Sequence, residues 1–187
     1  AHLDKRQTGA IYVPDQAKDL LEQISFEARK SEYVDAKSGV SARMGITAFE
    51  NLLSTAEHRA LKNGEEATAV RLSDFMGVIP AITGKIELVY EGEQEGADIV
   101  ALILLEEAIK TLFPNYFPKI EKLERKDAQS PYDELITWFF EGEGFELLDD
   151  ASDAEYQTRL NSVSPLNSLI NKFQPKVDKN DRYFLKE

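Results

Sequence analysis

The chain has 187 residues, 42% of them hydrophobic and 10% aromatic, which is typical of a folded protein with a sizeable core. Its formal net charge of −12 argues against general binding to nucleic acid or to anionic membranes, because both need clustered Lys and Arg. The absence of cysteine excludes disulfides, thiolate metal sites and cysteine nucleophiles, and it favours a cytoplasmic protein. The abrupt start at Ala1–Asp4 leads us to expect a fragment of a longer protein.

Two long helices are predicted in the first part of the chain. Residues 14–30 carry apolar side chains at helical spacing after Pro14, which suits a first helical turn. After a polar connection at 31–41, residues 46–63 have the clearest amphipathic pattern, and Gly64 ends it. The expected buried stripe of this second helix is Ile46, Phe49, Leu52, Leu53, Ala56 and Ala60.

Shorter elements follow the second helix. Residues 69–72 predict a short extended segment, and Ser73 is expected to cap a short helix that Pro80 interrupts. Residues 81–89 fit a further short helix, although the stretch at 86–90 fits a strand equally well.

An acidic, glycine-containing connector is predicted at 91–96, where the sequence is Glu-Gly-Glu-Gln-Glu-Gly. Such a segment is expected to be exposed and flexible. It therefore divides the chain into a first domain at 1–90 and a C-terminal helical extension at 97–187.

The extension is predicted to be helical. A buried helix at 97–113 should end in a break between Pro114 and Pro118, with a short helix to about 124. Three further helices have start signals at Ser130-Pro131, Ser152 and Ser164-Pro165. The last dozen residues read as a charged tail, with docking of 183–185 as the alternative. The whole predicts a mainly α fold, a small helical bundle followed by a helical extension, with at most one short β element.

No complete catalytic apparatus is visible. The chain lacks a Walker-type phosphate loop, a G-x-G-x-x-G segment and a G-x-S-x-G elbow. Adjacent carboxylates such as Glu106 and Glu107 point about 100° apart on a helix, which does not suit an acid–base pair. His58 lies off the apolar stripe, and we predict no metal site.

Trp138, Phe139 and Phe140 form a run of three aromatic residues at a predicted helix end. Three consecutive side chains cannot all face one core, so at least one is expected to be exposed. The run therefore predicts either core packing in a small domain or a patch that docks a partner.

Arg43 stands where a small turn-forming segment meets the second helix. A helix start carries free N–H groups and the positive end of the dipole, so a cation there needs a partner. That partner is either a nearby glutamate, as for an ordinary surface arginine, or an anion bound by the protein.

A family resemblance bears on this choice. Residues 39–43 read Gly-Val-Ser-Ala-Arg, the following helix has small residues at Ala56 and Ala60, Gly64 closes it, and 70–75 read Val-Arg-Leu-Ser-Asp-Phe. This order resembles the helical lid of AAA+ ATPases, in the branch of the magnesium-chelatase ATPase subunit and MoxR. The resemblance covers roughly residues 14–90.

The resemblance implies that Arg43 is the sensor-2 arginine, which contacts the γ-phosphate of ATP held by a core domain. The Walker A lysine, the Walker B acids, sensor 1 and the Mg²⁺ site would belong to that core, so this chain alone binds no cofactor and is not catalytic. The full-length protein would form a homo-oligomeric ring and remodel a protein client. The alternative is a stand-alone acidic helical interaction module without nucleotide binding, which contacts its partner through Trp138–Phe140 or through 91–96.

Overall fold

The computed structural model describes residues 9–38, 40, 41, 43–120, 130–142 and 144–187. Over these residues the fold is mainly helical, as predicted, and the one sheet has two short parallel strands. Strand β1 (Ile11–Tyr12) pairs with β2 (Thr68–Ala69), with Ile11 opposite Thr68. The expected helix to about residue 124 lies mostly outside the described residues.

Most of the helices lie where the sequence pattern predicts them, whereas the short helices at 90–95 and 179–184 were not predicted. The first half of the chain contains α1 (Asp15–Lys30), α2 (Met44–Lys62), a 3₁₀ helix (Leu72–Val78) and α3 (Ile79–Thr83). The second half contains α4 (Tyr90–Glu95), α5 (Ala97–Tyr116), α6 (Asp133–Glu141), α7 (Asp153–Ser162), α8 (Ser164–Phe173) and α9 (Lys179–Phe184).

The main core lies between α1, α2, the 3₁₀ helix, α3 and α5. α5 packs along α1, and its buried residues Val100 to Ala108 share one apolar cluster with the buried faces of α1 and α2. Phe184 of α9 closes this core, with its ring centroid 6.2 Å from that of Phe75. The predicted charged tail is therefore wrong, and the alternative, docking of 183–185, is confirmed.

Most of the predicted stripe of α2 is confirmed, since Leu52, Leu53, Ala56 and Ala60 are buried and Phe49 is partly buried. Ile46 is 50% exposed, whereas Met44 and Ala48 are buried. At the other end of the helix Arg59 is only 5% exposed. Arg59 is thus buried outside the apolar pattern, because it finds partners inside the protein, as described below.

The expected connector at 91–96 is wrong in its local structure, because residues 90–95 form α4. Gly92 is buried on this helix, where a Cβ atom would lie 2.5 Å from the carbonyl oxygen of Tyr33. The main core continues from one side of α4 to the other, so the described structure has no break in its core at 91–96.

Three local expectations fail around prolines and caps. α5 continues through Pro114 to Tyr116, because a proline in the last turn removes only one helical bond. Pro80 lies at the start of α3, which ends at Thr83, and Leu88 forms a single antiparallel bridge with Val34, so neither a helix over 81–89 nor a strand over 86–90 is present. Arg71, and not Ser73, precedes the 3₁₀ helix.

A smaller apolar cluster joins the end of α5 to α8. It consists of Phe117, Tyr132, Leu169 and Ile170. The predicted cap of α7 is present, since Ser152 Oγ accepts a hydrogen bond from the N–H of Glu155 at 3.3 Å. No helix in the described residues is long and apolar enough to cross a membrane.

Candidate functional site

Arg43 is the residue that immediately precedes α2, as the sequence predicted. Its N–H donates to Ser41 Oγ at 3.3 Å, and its carbonyl oxygen accepts from both the N–H and the hydroxyl of Thr47, at 3.0 and 3.1 Å. The next residue, Met44, is 1% exposed and anchors the helix start in the main core. The backbone of Arg43 is therefore fixed while its side chain points away from the core.

The Arg43 side chain is exposed. Within the described ranges it has no hydrogen bond or ion pair, so the nearby glutamate of the surface-arginine alternative is not observed there. The first turn of α2 contains no acidic residue, and no side chain caps it. An exposed guanidinium thus lies at the start of a 19-residue helix whose first turn has no acidic side chain.

The connection that leads to Arg43 is seated on residues 85–89. Val34 pairs with Leu88, and the N–H of Asp35 donates to the carbonyl of Glu87 at 2.8 Å. Further along, the N–H of Ser41 donates to the carbonyl of Lys85 at 3.4 Å. These bonds tie the segment before α2 to the main core, and they bring the backbone of Lys85 beside Ser41.

The other end of α2 carries a buried ionic network that sequence reasoning missed. Arg59 donates from Nε and Nη2 to the two carboxylate oxygens of Asp74, at 3.2 and 2.9 Å. Its Nη1 donates to Thr68 Oγ1 and Asp153 Oδ1, both at 3.0 Å, and its Nη2 also donates to the carbonyl of Ala69 at 2.8 Å. All five guanidinium donors are therefore used inside the protein.

Arg71 extends the network to the C-terminal part of the chain. Its Nη2 donates to Asp153 Oδ1 at 2.7 Å, and its Nη1 donates to the carbonyl of Ala151 at 2.9 Å. The guanidinium carbon lies 3.8 Å from the centroid of the Tyr156 ring, a cation–π contact. Arg71 thereby fastens the start of α7 against the 3₁₀ helix.

Electrostatics in this network are balanced. Two arginines face two aspartates, so the formal charges cancel. Burial lowers the pKa of Arg59, but hydrogen bonding and the charges of Asp74 and Asp153 outweigh it and raise the pKa overall. A pair of this kind, closed on itself and hidden from solvent, has a structural role and offers no open position to a ligand.

Glu187 lies beside the network and is the most perturbed carboxyl near it. Its side chain accepts a hydrogen bond from the N–H of Leu72. Burial raises the pKa of Glu187 to about 8, against the opposing effects of the Leu72 N–H and of the Arg71 charge.

Two residues of the buried network have a spacing that the sequence alone could have revealed. Arg71 and Asp74 are three residues apart at a helix start, and the N–H of Arg71 donates to Asp74 Oδ2 at 2.8 Å, which is the local bond that such spacing favours. Arg59 gave no signal, because its partner Asp153 is 94 residues away along the chain.

The remaining polar candidates are dispersed. His58 is exposed on α2, as expected from its place off the stripe. Glu106 and Glu107 both pair with Lys110, at 2.9 and 3.0 Å. In the described part of the chain, no three His, Asp or Glu side chains come together in a way that could hold a metal ion.

The aromatic run of α6 faces outward. Phe140 is 86% exposed and Phe139 is 51% exposed, while Trp138 is partly buried. Core packing therefore does not explain the run.

Comparisons with family models, with curated proteins and with solved structures gave no significant match to this chain.

Proposed function

We propose that this chain is the C-terminal, lid-containing part of an AAA+ ATPase of the magnesium-chelatase or MoxR type. It would close over ATP bound to a core domain of the same polypeptide and couple hydrolysis to the remodelling of a protein client in a homo-oligomeric ring. The observation that supports this is the exposed guanidinium of Arg43, held on a fixed backbone at the start of α2 and without a partner among the described residues.

The chemistry of Arg43 suits a phosphate. A guanidinium presents a planar fork of donors that matches phosphate oxygens and keeps its charge at any physiological pH. Directed at the γ-phosphate, it would stabilise the charge that develops during phosphoryl transfer. The Mg²⁺ and the remaining phosphate contacts would come from the core domain.

The order of local elements around Arg43 is compatible with a lid. The segment before it is seated on the main core, Gly64 follows the end of α2 with a φ of 69°, and the short β2 strand leads into a helix with Asp74 in its first turn. This is the succession on which the family resemblance rests.

α2 would also transmit movement from Arg43 to the Arg59 network. Its 19 residues span about 28 Å at ~1.5 Å per residue, with Arg43 at one end and the buried Arg59 network at the other. Because Arg59 and Arg71 hold Asp153, a shift of α2 that follows phosphate contact would be passed to α7 and the C-terminal segment. A neighbouring subunit or client could respond to that shift.

The test uses the full-length protein. Arg43→Ala should lower ATP turnover by about 100-fold while leaving the fold unchanged. The matched control is Arg29→Ala, which removes another exposed arginine, on α1, and should leave turnover unaltered. Unchanged turnover in Arg43→Ala would overturn the sensor-2 role, and so would an upstream reading frame without a G-x-x-x-x-G-K-[ST] motif.

The competing candidate is a stand-alone acidic interaction module without nucleotide binding. The exposed Phe139 and Phe140 side chains favour it, because a solvent-facing aromatic run is typical of a contact surface. A natural reading frame that begins near Ala1, together with a silent Arg43→Ala variant, would establish this candidate instead.

A further inference from the structure

An aromatic patch occupies the end of α6 and the loop after it. It consists of Trp138, Phe139, Phe140 and Phe145. Three of these rings pack edge-to-face on one another, with the Trp138 centroid 5.0 Å from that of Phe139 and 5.9 Å from that of Phe145. The fourth, Phe140, is almost completely exposed.

The helix that presents the patch contributes no buried residue of its own. None of the nine residues of α6 is buried, although Ile136, Phe139 and Phe140 give it an apolar side. The rings therefore contact each other and solvent instead of a core. An apolar face that the described fold leaves uncovered marks a surface for another molecule.

The segment that carries the patch is acidic. Residues 130–153 contain eight Asp or Glu residues and no Lys, Arg or His. Four of these carboxylates are exposed and form no ion pair in the described structure, namely those of Asp133, Glu134, Glu141 and Glu146. Elsewhere in the segment, Asp150 pairs with Lys62 and Asp153 belongs to the buried network.

We infer that the aromatic patch docks a basic amphipathic segment of another protein. Leucine or aromatic side chains of that segment would cover the rings, and its Lys and Arg side chains would face the surrounding carboxylates. Aromatic residues supply most of the binding energy at such contacts, and complementary charge selects the partner and speeds association. An amphipathic helix that lays its apolar face on an apolar surface is a common mode of this kind.

Charge favours a basic segment over two other molecules that could cover the aromatic patch. A second copy of the chain would bring the same carboxylates and a net charge of −12 against the patch, which is repulsive. An anionic membrane would be repelled in the same way. The inference is also independent of the ATPase proposal, because none of the patch residues lies in α1 or α2.

Trp138 makes the inference directly measurable, since it is the one tryptophan of the chain. Two synthetic helical peptides of about 14 residues, ~4 turns, would share one leucine face and differ only in carrying Lys or Glu on the other. The Lys peptide should shift Trp138 emission to the blue and bind at least about tenfold more tightly than the Glu peptide. Added salt should weaken the binding.

Matched variants locate the contact. Phe140→Ser, at an 86% exposed position, should weaken binding of the Lys peptide about tenfold or more without affecting the fold. Phe26→Ser, at a 49% exposed position on α1, should leave it unchanged. Likewise the double variant Glu134→Lys/Glu141→Lys should weaken binding, whereas Glu91→Lys/Glu93→Lys on α4, with the same change in net charge, should not.

Each of the following results would overturn the inference. Equal binding of the two peptides, or an equal effect of the two double variants, would mean that the peptide responds only to the overall negative charge. Self-association in sedimentation that Phe140→Ser abolishes would assign the patch to a second copy of the chain. A blue shift with phosphatidylcholine vesicles but not with the Lys peptide would assign it to a lipid surface.

Discussion

Arg59 and Asp74 form a two-bond ion pair inside the protein. The bonds measure 3.2 and 2.9 Å, and the two side chains are 5% and 3% exposed. Because water is excluded from the pair, removal of either charge would leave the other buried without a counter-charge, which is costly. The pair also joins the last turns of α2 to the 3₁₀ helix, so it fixes the geometry of the segment that Arg71 then extends to α7.

Removal of one partner should therefore be costly. Asp74→Ala leaves the buried guanidinium of Arg59 with a missing counter-charge, and we expect a loss of about 3–5 kcal/mol in the free energy of unfolding. Urea unfolding measures it. The control is Asp150→Ala, which breaks the exposed pair with Lys62 and should cost no more than about 1 kcal/mol. Similar losses in the two variants would contradict the structural role of the buried pair.

Much of the helical architecture was predictable because it depends on local pattern. The bounds of α1 and α2 were expected to within two residues, since apolar spacing and end signals act over one or two turns. The cap at Ser152 and the start of α8 were predicted for the same reason.

The parts that could not be predicted depend on distant contacts. Arg59 is buried because Asp153 and Asp74 reach it, and no helical pattern contains that information. Residues 90–95 contain Gly92, which disfavours a helix, yet they form α4, and Gly92 lies close to the Tyr33 backbone. Phe184 reaches the core from a charged C-terminal segment, which local composition describes as a tail.

In the candidate site, too, only the features that depend on local signals could be predicted from the sequence. The position of Arg43 at a helix start came from local signals, whereas its lack of a partner in the described structure required the packing of the surrounding segments. For the aromatic run the sequence left two possibilities, and the exposure of Phe139 and Phe140 argues against core packing.

The same substitution should affect stability very differently at Arg43 and at Arg71. Arg43→Ala removes an exposed side chain without a described partner and should change the free energy of unfolding by no more than about 0.5 kcal/mol. Arg71→Ala removes the bonds to Asp153 and Ala151 and the contact with Tyr156, and should cost about 3 kcal/mol or more.

Thermal unfolding of the two variants beside the wild type would measure this difference. A strongly destabilised Arg43→Ala variant would show that the guanidinium serves the fold, and it would remove the main support for a phosphate contact.

Glu187 should make stability depend on pH. Burial raises its pKa from 4.5 to about 8 in the folded state, so the folded protein holds this proton more tightly than the unfolded chain does. Its contribution is fully present below pH 4.5 and is lost as the pH rises towards 8. Glu187→Gln, which cannot ionise, should abolish this loss.

The measurement is urea unfolding of wild type and variant across that pH range. The stability of the wild type relative to Glu187→Gln should fall by at least about 1.4 kcal/mol, the equivalent of one pKa unit. Glu134→Gln, at an exposed position on α6, should follow the wild-type profile. Parallel profiles for wild type and Glu187→Gln would show that Glu187 is ordinary in the folded protein.

Gly92 should tolerate no side chain, although alanine is the better helix former. A Cβ atom there would lie 2.5 Å from the carbonyl oxygen of Tyr33, which also accepts the N–H of Val89 at 3.0 Å. Backbone atoms held in this way cannot move aside, so Gly92→Ala should destabilise by about 1–3 kcal/mol. Gly45→Ala on α2, with nothing within 4 Å of the new atom, should instead stabilise by up to about 1 kcal/mol. Urea midpoints that shift in the same direction would contradict a close approach of α4 to the segment that precedes Arg43.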